Sequence, residues 1–371
     1  MRIGLLKETK NQEYRVAITP ASAMEIIKAG HEFFVQSGAG LGIGIADSEY
    51  EKLGAKIVKD TKALIETADL IVKVKEPTEE ECNLLNKDKT IFTFLHLAAL
   101  PKQMELLQKS GAKAIAYETV TSPLGSLPLL TPMSEVAGRL AILSGSQYLL
   151  KNNGGKGVLL NGVAGVDKAN VVIIGAGVVG VNAMQTAVGA GARVIVLDKN
   201  IDRLRQLDLI YGNKITVLYS SHHNVMESIK NADLVIGAVL IPGASAPKII
   251  TKDMLKHMQP KTVIVDVAID QGGMAETSKP TTYDNPVYEV DNIIHYCVAN
   301  MPGGVAKTSS FALSNATNPF ILELANKGIN KALLENPHLL NGLNVASGNI
   351  VHKGLADSFN VKYVDAKDII R

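Results

Sequence analysis

The sequence predicts an α/β protein made of two doubly wound parallel sheets, and three observations predict it. Short β-rich apolar runs alternate with amphipathic stretches over the first ~120 residues. A second series of the same kind begins at residue 170 and runs to about 300. Between them the stretch TSPLGSLPLLTP (121–132) holds three prolines and a glycine and interrupts any regular element. Strands alternating with helices imply a parallel sheet, because each parallel crossover needs an element to carry the chain back. At 371 residues the chain is long enough for about two such domains.

The elements follow in order. RIGLL reads as the first strand, and Thr19-Pro20 opens the helix ASAMEIIKAG, with proline at the first helical position and glycine at the end. EFFVQ, KIVKD, LIVKVK, TIFTFLHL and KAIAYE are further strands, separated by helical spans such as PKQMELLQKSG. After the proline-rich break, Ser134 is expected to cap a connecting helix, SEVAGRLAILSGSQYLL. VVII, RVIVLD, ITVLYS, LVIGAVL, VIVDVAI and IIHYCV form the second series of strands. Beyond MPGG (301–304) comes a mostly helical stretch and a tail too short to be a domain. The expected division is therefore residues 1–131, then 132–307 with the connecting helix, then 308–371 returning to complete the first domain. Two crossings between the halves would leave a cleft between them.

Bulk properties narrow the partners. A formal net charge of +2, with charges interspersed, is too small to collect nucleic acid or anionic lipid. No run of about 18 apolar residues appears, and the start MRIGLLKETK has no secretory pattern, so the cytoplasm is the expected location. Cys82 and Cys297 are too few for a disulfide framework and read as buried thiols. No metal site is expected.

The stretch VVIIGAGVVG carries a dinucleotide signature. Gly175 permits a tight turn, Gly177 lets backbone approach a pyrophosphate, and Gly180 allows close helix packing; Val178 opens the helix whose N–H groups meet the charge. The motif follows a strand, opens a helix and leads into RVIVLD, whose Asp198 lies 18 residues after Gly180. A carboxylate there accepts from ribose hydroxyls and repels a 2′-phosphate, which favours NAD over NADP. Lys199 and Arg203 pull the other way, or form a solvated helix start.

Ligands of open α/β sheets sit at the carboxyl ends of strands. Those ends offer Asp270, followed by Gly272-Gly273, in the second series, and Arg15, Lys75 and His96 in the first. Singly these read equally as a turn-forming Asp, two surface cations and a satisfied buried His. Together they suit a substrate carrying a carboxylate, with groups left to move protons.

Over essentially its whole length the chain resembles the alanine dehydrogenase family. MRIGLLKETKNQEYRVAITP, KVKEP, FLHLAALP, the glycine turn, VAIDQGG, SKPTT and HYCVANMPGGVAKTSS occur in that family's order and spacing. The resemblance implies NAD-dependent interconversion of L-alanine with pyruvate and ammonium. It implies Arg15 and Lys75 as substrate contacts, and His96 and Asp270 as the acid–base pair. For NAD it implies Ser134, the glycine turn, Asp198, Arg203, Ser220, Val239, Leu240, Val267, Ala268, Ile269, Asp270, Lys279, Val298, Ala299, Asn300 and Met301, and as assembly a homohexamer. Asn161, Ala164 and Met274 depart from residues frequent in the family, and Lys279 and Arg203 read as cation exchanges. The related nucleotide-binding subunit of proton-pumping transhydrogenase shares the architecture and is the alternative enzyme; a non-catalytic NAD-binding protein is the alternative of another class.

Overall fold

The computed structural model describes residues 1–239 and 246–370. The chain divides into two compact units, Met1–Met133 with Val305–Arg371, and Ser134–Gly304.

The first unit opens with β1 (Arg2–Leu5), β2 (Glu32–Gln36), β3 (Lys56–Val58), β4 (Leu70–Val72), β5 (Thr90–Thr93) and β6 (Lys113–Ala116). Successive residues of these strands enter opposite faces, as the period of two requires. Leu70 and Val72 join one apolar cluster and Ile71 the other; Phe33 and Val35 oppose Phe34 in the same way. Burial on both faces is why the strands read as continuous apolar runs rather than alternating ones. Each such side chain contributes about 1.5–3 kcal/mol. Thr19 takes the N-cap position of the helix Pro20–Lys28, but its side chain makes no cap bond. Its hydroxyl lies 3.2 Å from Ser314 Oγ instead, which ties the first helix to the long helix Ala306–Lys327.

The second unit contains β7 (Asn170–Ile174), β8 (Arg193–Asp198), β9 (Thr216–Tyr219), β10 (Leu234–Gly237), β11 (Val263–Asp266), β12 (Val287–Val290) and β13 (Ile293–Tyr296). Its sheet order is β12-β13-β11-β10-β7-β8-β9. The helix leading into this unit spans Thr131–Leu149, so Ser134 lies inside it and is not its cap. Pro132 has no N–H to lose and is accommodated in the first turn, where that donor is unpaired anyway.

The tail returns to the first sheet as β14 (Leu343–Ala346), antiparallel to β6, followed by β15 (Asn349–Ile350). That sheet has the order β15-β14-β6-β5-β4-β1-β2-β3. Counting the parallel strands from each unit's first, both sheets have the order 3-2-1-4-5-6, with antiparallel strands added at one edge. The purely parallel expectation missed those edges. β12 joins β13 and β15 joins β14 through two-residue turns with two positive φ values, Asp291-Asn292 (50° and 61°) and Ser347-Gly348 (47° and 79°), whereas β14 meets β6 on the returning tail.

Candidate active site

In the second unit the candidate residues follow the carboxyl ends of the parallel strands. Gly175 leaves β7 at φ +104°, and a Cβ there would lie 2.6 Å from the Ala238 carbonyl. A Cβ on Gly180 would lie 1.8 Å from the Gly175 carbonyl oxygen. A Cβ on Gly177 would meet nothing within 4 Å. Glycine is thus required at 175 and 180 by the chain's own packing, whereas at 177 it leaves space open beside the start of the helix Val178–Gly189. That combination fits a pyrophosphate approaching backbone N–H groups.

Asp198 closes the turn from the next strand: Oδ2 accepts from Ala176 N at 2.6 Å, and Oδ1 accepts from Asn200 N at 2.7 Å. Arg203 braces the same turn, its Nε donating to the Ala176 carbonyl at 3.0 Å. Ser220 follows β9, its N–H donating to the Asp198 carbonyl at 2.9 Å. Val239 follows β10 and is half-buried, while Leu240 lies outside the described residues. Ser134 is half-buried within its helix, and Lys279 is exposed, its N–H donating to Tyr288 Oη at 2.6 Å.

Val267, Ala268, Ile269 and Asp270 form the short 3-10 turn Val267–Gln271 after β11. Asp266, fully buried, anchors it. The carboxylate accepts from the N–H groups of Ala268 (3.2 Å), Met274 (2.7 Å) and Ala275 (3.3 Å) and from Ser278 Oγ (2.5 Å). Burial pushes the Asp266 pKa up against these bonds. Asp270 itself is exposed. After β13, Val298 and Met301 are buried and Ala299 and Asn300 half-buried; Asn300 takes φ +59°, and the Met301 carbonyl accepts from Tyr283 Oη at 2.6 Å.

In the first unit the segments after β1, β4 and β5, adjoining strands of one sheet, carry Arg15, Lys75 and His96. Arg15 is buried, so its surface reading fails. Nε and Nη2 donate to the two Glu13 carboxylate oxygens at 2.7 and 2.6 Å, and Nη1 approaches Met133 Sδ at 3.2 Å. Glu8 bridges strands: it accepts from Val74 N at 2.6 Å and Lys75 N at 3.1 Å. Behind it Lys73, 1% exposed, pairs with Glu81 at 2.7 Å and Glu8 at 3.7 Å. Burial opposes the Lys73 ammonium, but Glu8 and Glu81 outweigh it and hold its pKa above the ordinary value. Breaking such a buried pair costs about 3–5 kcal/mol. Lys75 Nζ lies 3.6 Å from Glu76, which also pairs with Lys10. Burial opposes the Glu76 carboxylate too, yet the two lysines hold its pKa down.

His96 is 44% exposed, so it is not a buried core histidine. Its backbone is left-handed, φ +48°, a conformation costing about 1–3 kcal/mol in a non-glycine residue. Its ring stacks on Phe94 with centroids 5.6 Å apart and planes 1° apart. Glu118 accepts the His96 N–H at 2.6 Å.

Glu8, Glu13, Glu118 and Asp266 organise these segments, and none stood out in the sequence. The signal available was a lone carboxylate at the end of an apolar strand, as in KAIAYE and VIVDVAI. Both cysteines are free and buried; burial pushes the Cys82 thiol up to about 12. Among the described residues no helix is long and apolar enough to cross a membrane.

A 3-2-1-4-5-6 sheet whose first strand runs into this glycine turn, with a carboxylate closing it from the second, defines a Rossmann-like dinucleotide-binding protein. The models of the alanine dehydrogenase/PNT N-terminal and C-terminal domains match residues 4–137 and 141–353, and the chain belongs to that family. An alanine dehydrogenase of Halomonas elongata is 52% identical over 370 residues, 100% of each chain. A solved L-alanine dehydrogenase matches with a TM-score of 0.94 at 46% identity, over 97% of this chain and 99% of that one. A transhydrogenase from Sinorhizobium meliloti matches with a TM-score of 0.80 at 25% identity, over 95% and 99%.

Proposed function

We propose that the chain catalyses the NAD-dependent oxidative deamination of L-alanine to pyruvate and ammonium, and the reverse reductive amination. The observation that carries this reading is the 52% identity with an alanine dehydrogenase along the full length of both chains. The closer likeness to the L-alanine dehydrogenase fold than to the transhydrogenase supports it further.

Residues 132–307 hold the cofactor, and residues 1–131 with 308–371 hold the substrate. Bound NAD supplies the hydride acceptor. Gly175, Gly177, Val178 and Gly180 take its pyrophosphate, and Asp198 its ribose. Arg15 and Lys75 take the alanine carboxylate. The substrate ammonium loses a proton before hydride leaves Cα, and the product of that step is iminopyruvate. His96 and Asp270 then serve proton transfer as water adds to the imine carbon and the C–N bond breaks. Alanine, NAD and water thus give pyruvate, ammonium, NADH and a proton. A positioned acid–base group is worth about 10²–10⁴-fold in such steps.

The fork of Arg15 already grips Glu13, so Arg15→Lys is the informative change: it keeps the charge and loses the bidentate geometry. Arg15→Lys and Lys75→Ala are expected to lower kcat/KM for alanine and for pyruvate at least about tenfold, the equivalent of 1.4 kcal/mol. NADH affinity, read by calorimetry, stays unchanged in both. An equal fall in NADH affinity would contradict the assignment.

The assembly is a homohexamer in the cytoplasm. Leu124, Leu143, Leu159, Val163 and Val166 are large apolar side chains exposed on the single chain. Sedimentation equilibrium is expected to return six chains per particle, and a monomer would contradict it.

A further inference from the structure

β4 lies between β1 and β5, and its backbone ladder runs out just before Lys75. Leu6 N–H donates to the Val72 carbonyl at 3.1 Å on the β1 side, and Phe94 N–H donates to the Val74 carbonyl at 3.1 Å on the β5 side. Side chains then take over from backbone. Glu8 Oε1 accepts the N–H groups of Val74 and Lys75 at 2.6 and 3.1 Å. From the opposite side Thr93 Oγ1, at the end of β5, donates to the Lys75 carbonyl at 2.7 Å. Every polar main-chain group of Val74 and Lys75 is thus bonded, as buried backbone requires. Thr93 is fully buried, where a hydroxyl costs free energy unless it is bonded and a valine would fill the same space without that cost. The Lys75 ammonium is the opposite case: at 3.6 Å from Glu76 Oε2 it is within ion-pair range and beyond a hydrogen bond. A fixed main chain under a loosely held ammonium suits an anchor that exchanges one carboxylate for another.

We infer that Thr93 is a positioning residue for substrate binding: its hydroxyl fixes the Lys75 peptide from the β5 side, opposite Glu8, so that the ammonium meets the substrate carboxylate from one backbone position. A lysine side chain is long and flexible, and only its root can be held without tying up its charge. When the root bond is lost, the ammonium spreads over more positions, and ordering it again on binding weakens affinity. The carboxylate of alanine or pyruvate is not the reacting group, so the loss falls equally on ground state and transition state. It therefore appears in KM and leaves kcat alone. The inference rests on Lys75 being a substrate contact, as proposed above.

The test uses the full chain carrying Thr93→Val, Thr93→Ser, Lys75→Ala, or Lys75→Ala with Thr93→Val. Valine is close to threonine in shape and suits a buried strand, so the fold survives the change. Calorimetry of pyruvate binding to the NADH complex, without ammonium, reports on the anchor even where turnover is lost; KM, kcat and NADH affinity are measured beside it. Thr93→Val is expected to weaken pyruvate binding about tenfold and to raise KM for alanine and pyruvate alike, the kind of loss that misplacement of a binding group brings. Its kcat and NADH affinity stay within about twofold of the parent. Thr93→Ser keeps the hydroxyl and most of the affinity. With Lys75 already Ala, Thr93→Val costs nothing further. Parent-like pyruvate binding in Thr93→Val beside weakened binding in Lys75→Ala overturns the positioning role alone. An equal loss from Thr93→Val with and without Lys75, or an equal loss in Thr93→Ser, also overturns it, as a purely structural effect would give. Parent-like pyruvate binding in Lys75→Ala overturns the reading of Lys75 and this inference with it.

Discussion

Asp270→Asn lowers kcat for alanine oxidation at least about 10²-fold, and His96→Asn does the same. Asn at 270 keeps the size of the side chain and one acceptor oxygen while removing the base. Asp270 is exposed, and its turn is held by Asp266 rather than by its own carboxylate, so the fold survives the change. His96 is likewise exposed, and Asn accepts the φ of +48° that alanine would resist. If the two groups act in one proton-transfer sequence, the double variant is little worse than the poorer single, the non-additivity of groups working as a unit. The check is kcat for the singles and the double with NAD saturating. More than a tenth of parent activity in Asp270→Asn removes that residue from the chemistry.

The second large effect separates two glycines of one turn. Gly180→Ala places a methyl 1.8 Å from the Gly175 carbonyl oxygen and 2.9 Å from its carbon. Backbone cannot yield there without opening the turn, and overpacking of this kind costs about 1–3 kcal/mol or more. Tm and NADH affinity are both expected to fall, the latter by about 10–100-fold at 1.4 kcal/mol per decade. Gly177→Ala behaves differently. Its backbone, φ −71° and ψ −166°, suits alanine, and its Cβ meets no protein atom within 4 Å. Tm is therefore expected to stay unchanged while NADH affinity drops about tenfold, because the methyl enters the open space proposed for the pyrophosphate. Thermal melts and calorimetry of both variants decide it. Parent-like NADH binding by Gly177→Ala would contradict the placement of the phosphates.

Much of the fold was legible because parallel strands buried on both faces announce themselves. NVVII, LIV at 70–72 and VIVD are short apolar runs between turn residues, and each is a strand. What escaped were the antiparallel edges. β12 and β15 are attached by the two-residue turns Asp291-Asn292 and Ser347-Gly348, neither of which is the Asn-Gly or Asp-Gly that signals a hairpin most strongly, and β14 reaches β6 only on the returning tail. The start of the helix at Thr131 escaped because Thr131 and Pro132 lie in a proline-rich stretch, and proline reads both as a breaker and as a first-turn residue. For the candidate site, a strand-end position was enough to single out Arg15, Lys75, His96 and Asp270. It was not enough to show that Arg15 is buried on Glu13, that Glu8 ties the turn after β1 to the one after β4, or that Glu118 grips the His96 backbone. Those partners are separated by up to 67 residues and share no periodicity, so only the folded sheet reveals them.

The chemistry proposed for this chain is hydride transfer from L-alanine to NAD. The measurement is NADH absorbance with purified protein, NAD and L-alanine, with pyruvate and ammonium assayed in parallel and the reverse reaction run from NADH, pyruvate and ammonium. The expected result is NADH formation that depends on alanine, matches pyruvate and ammonium one for one, and runs backwards when all three reverse substrates are present. Tight NADH binding with no alanine-dependent turnover in either direction would contradict it.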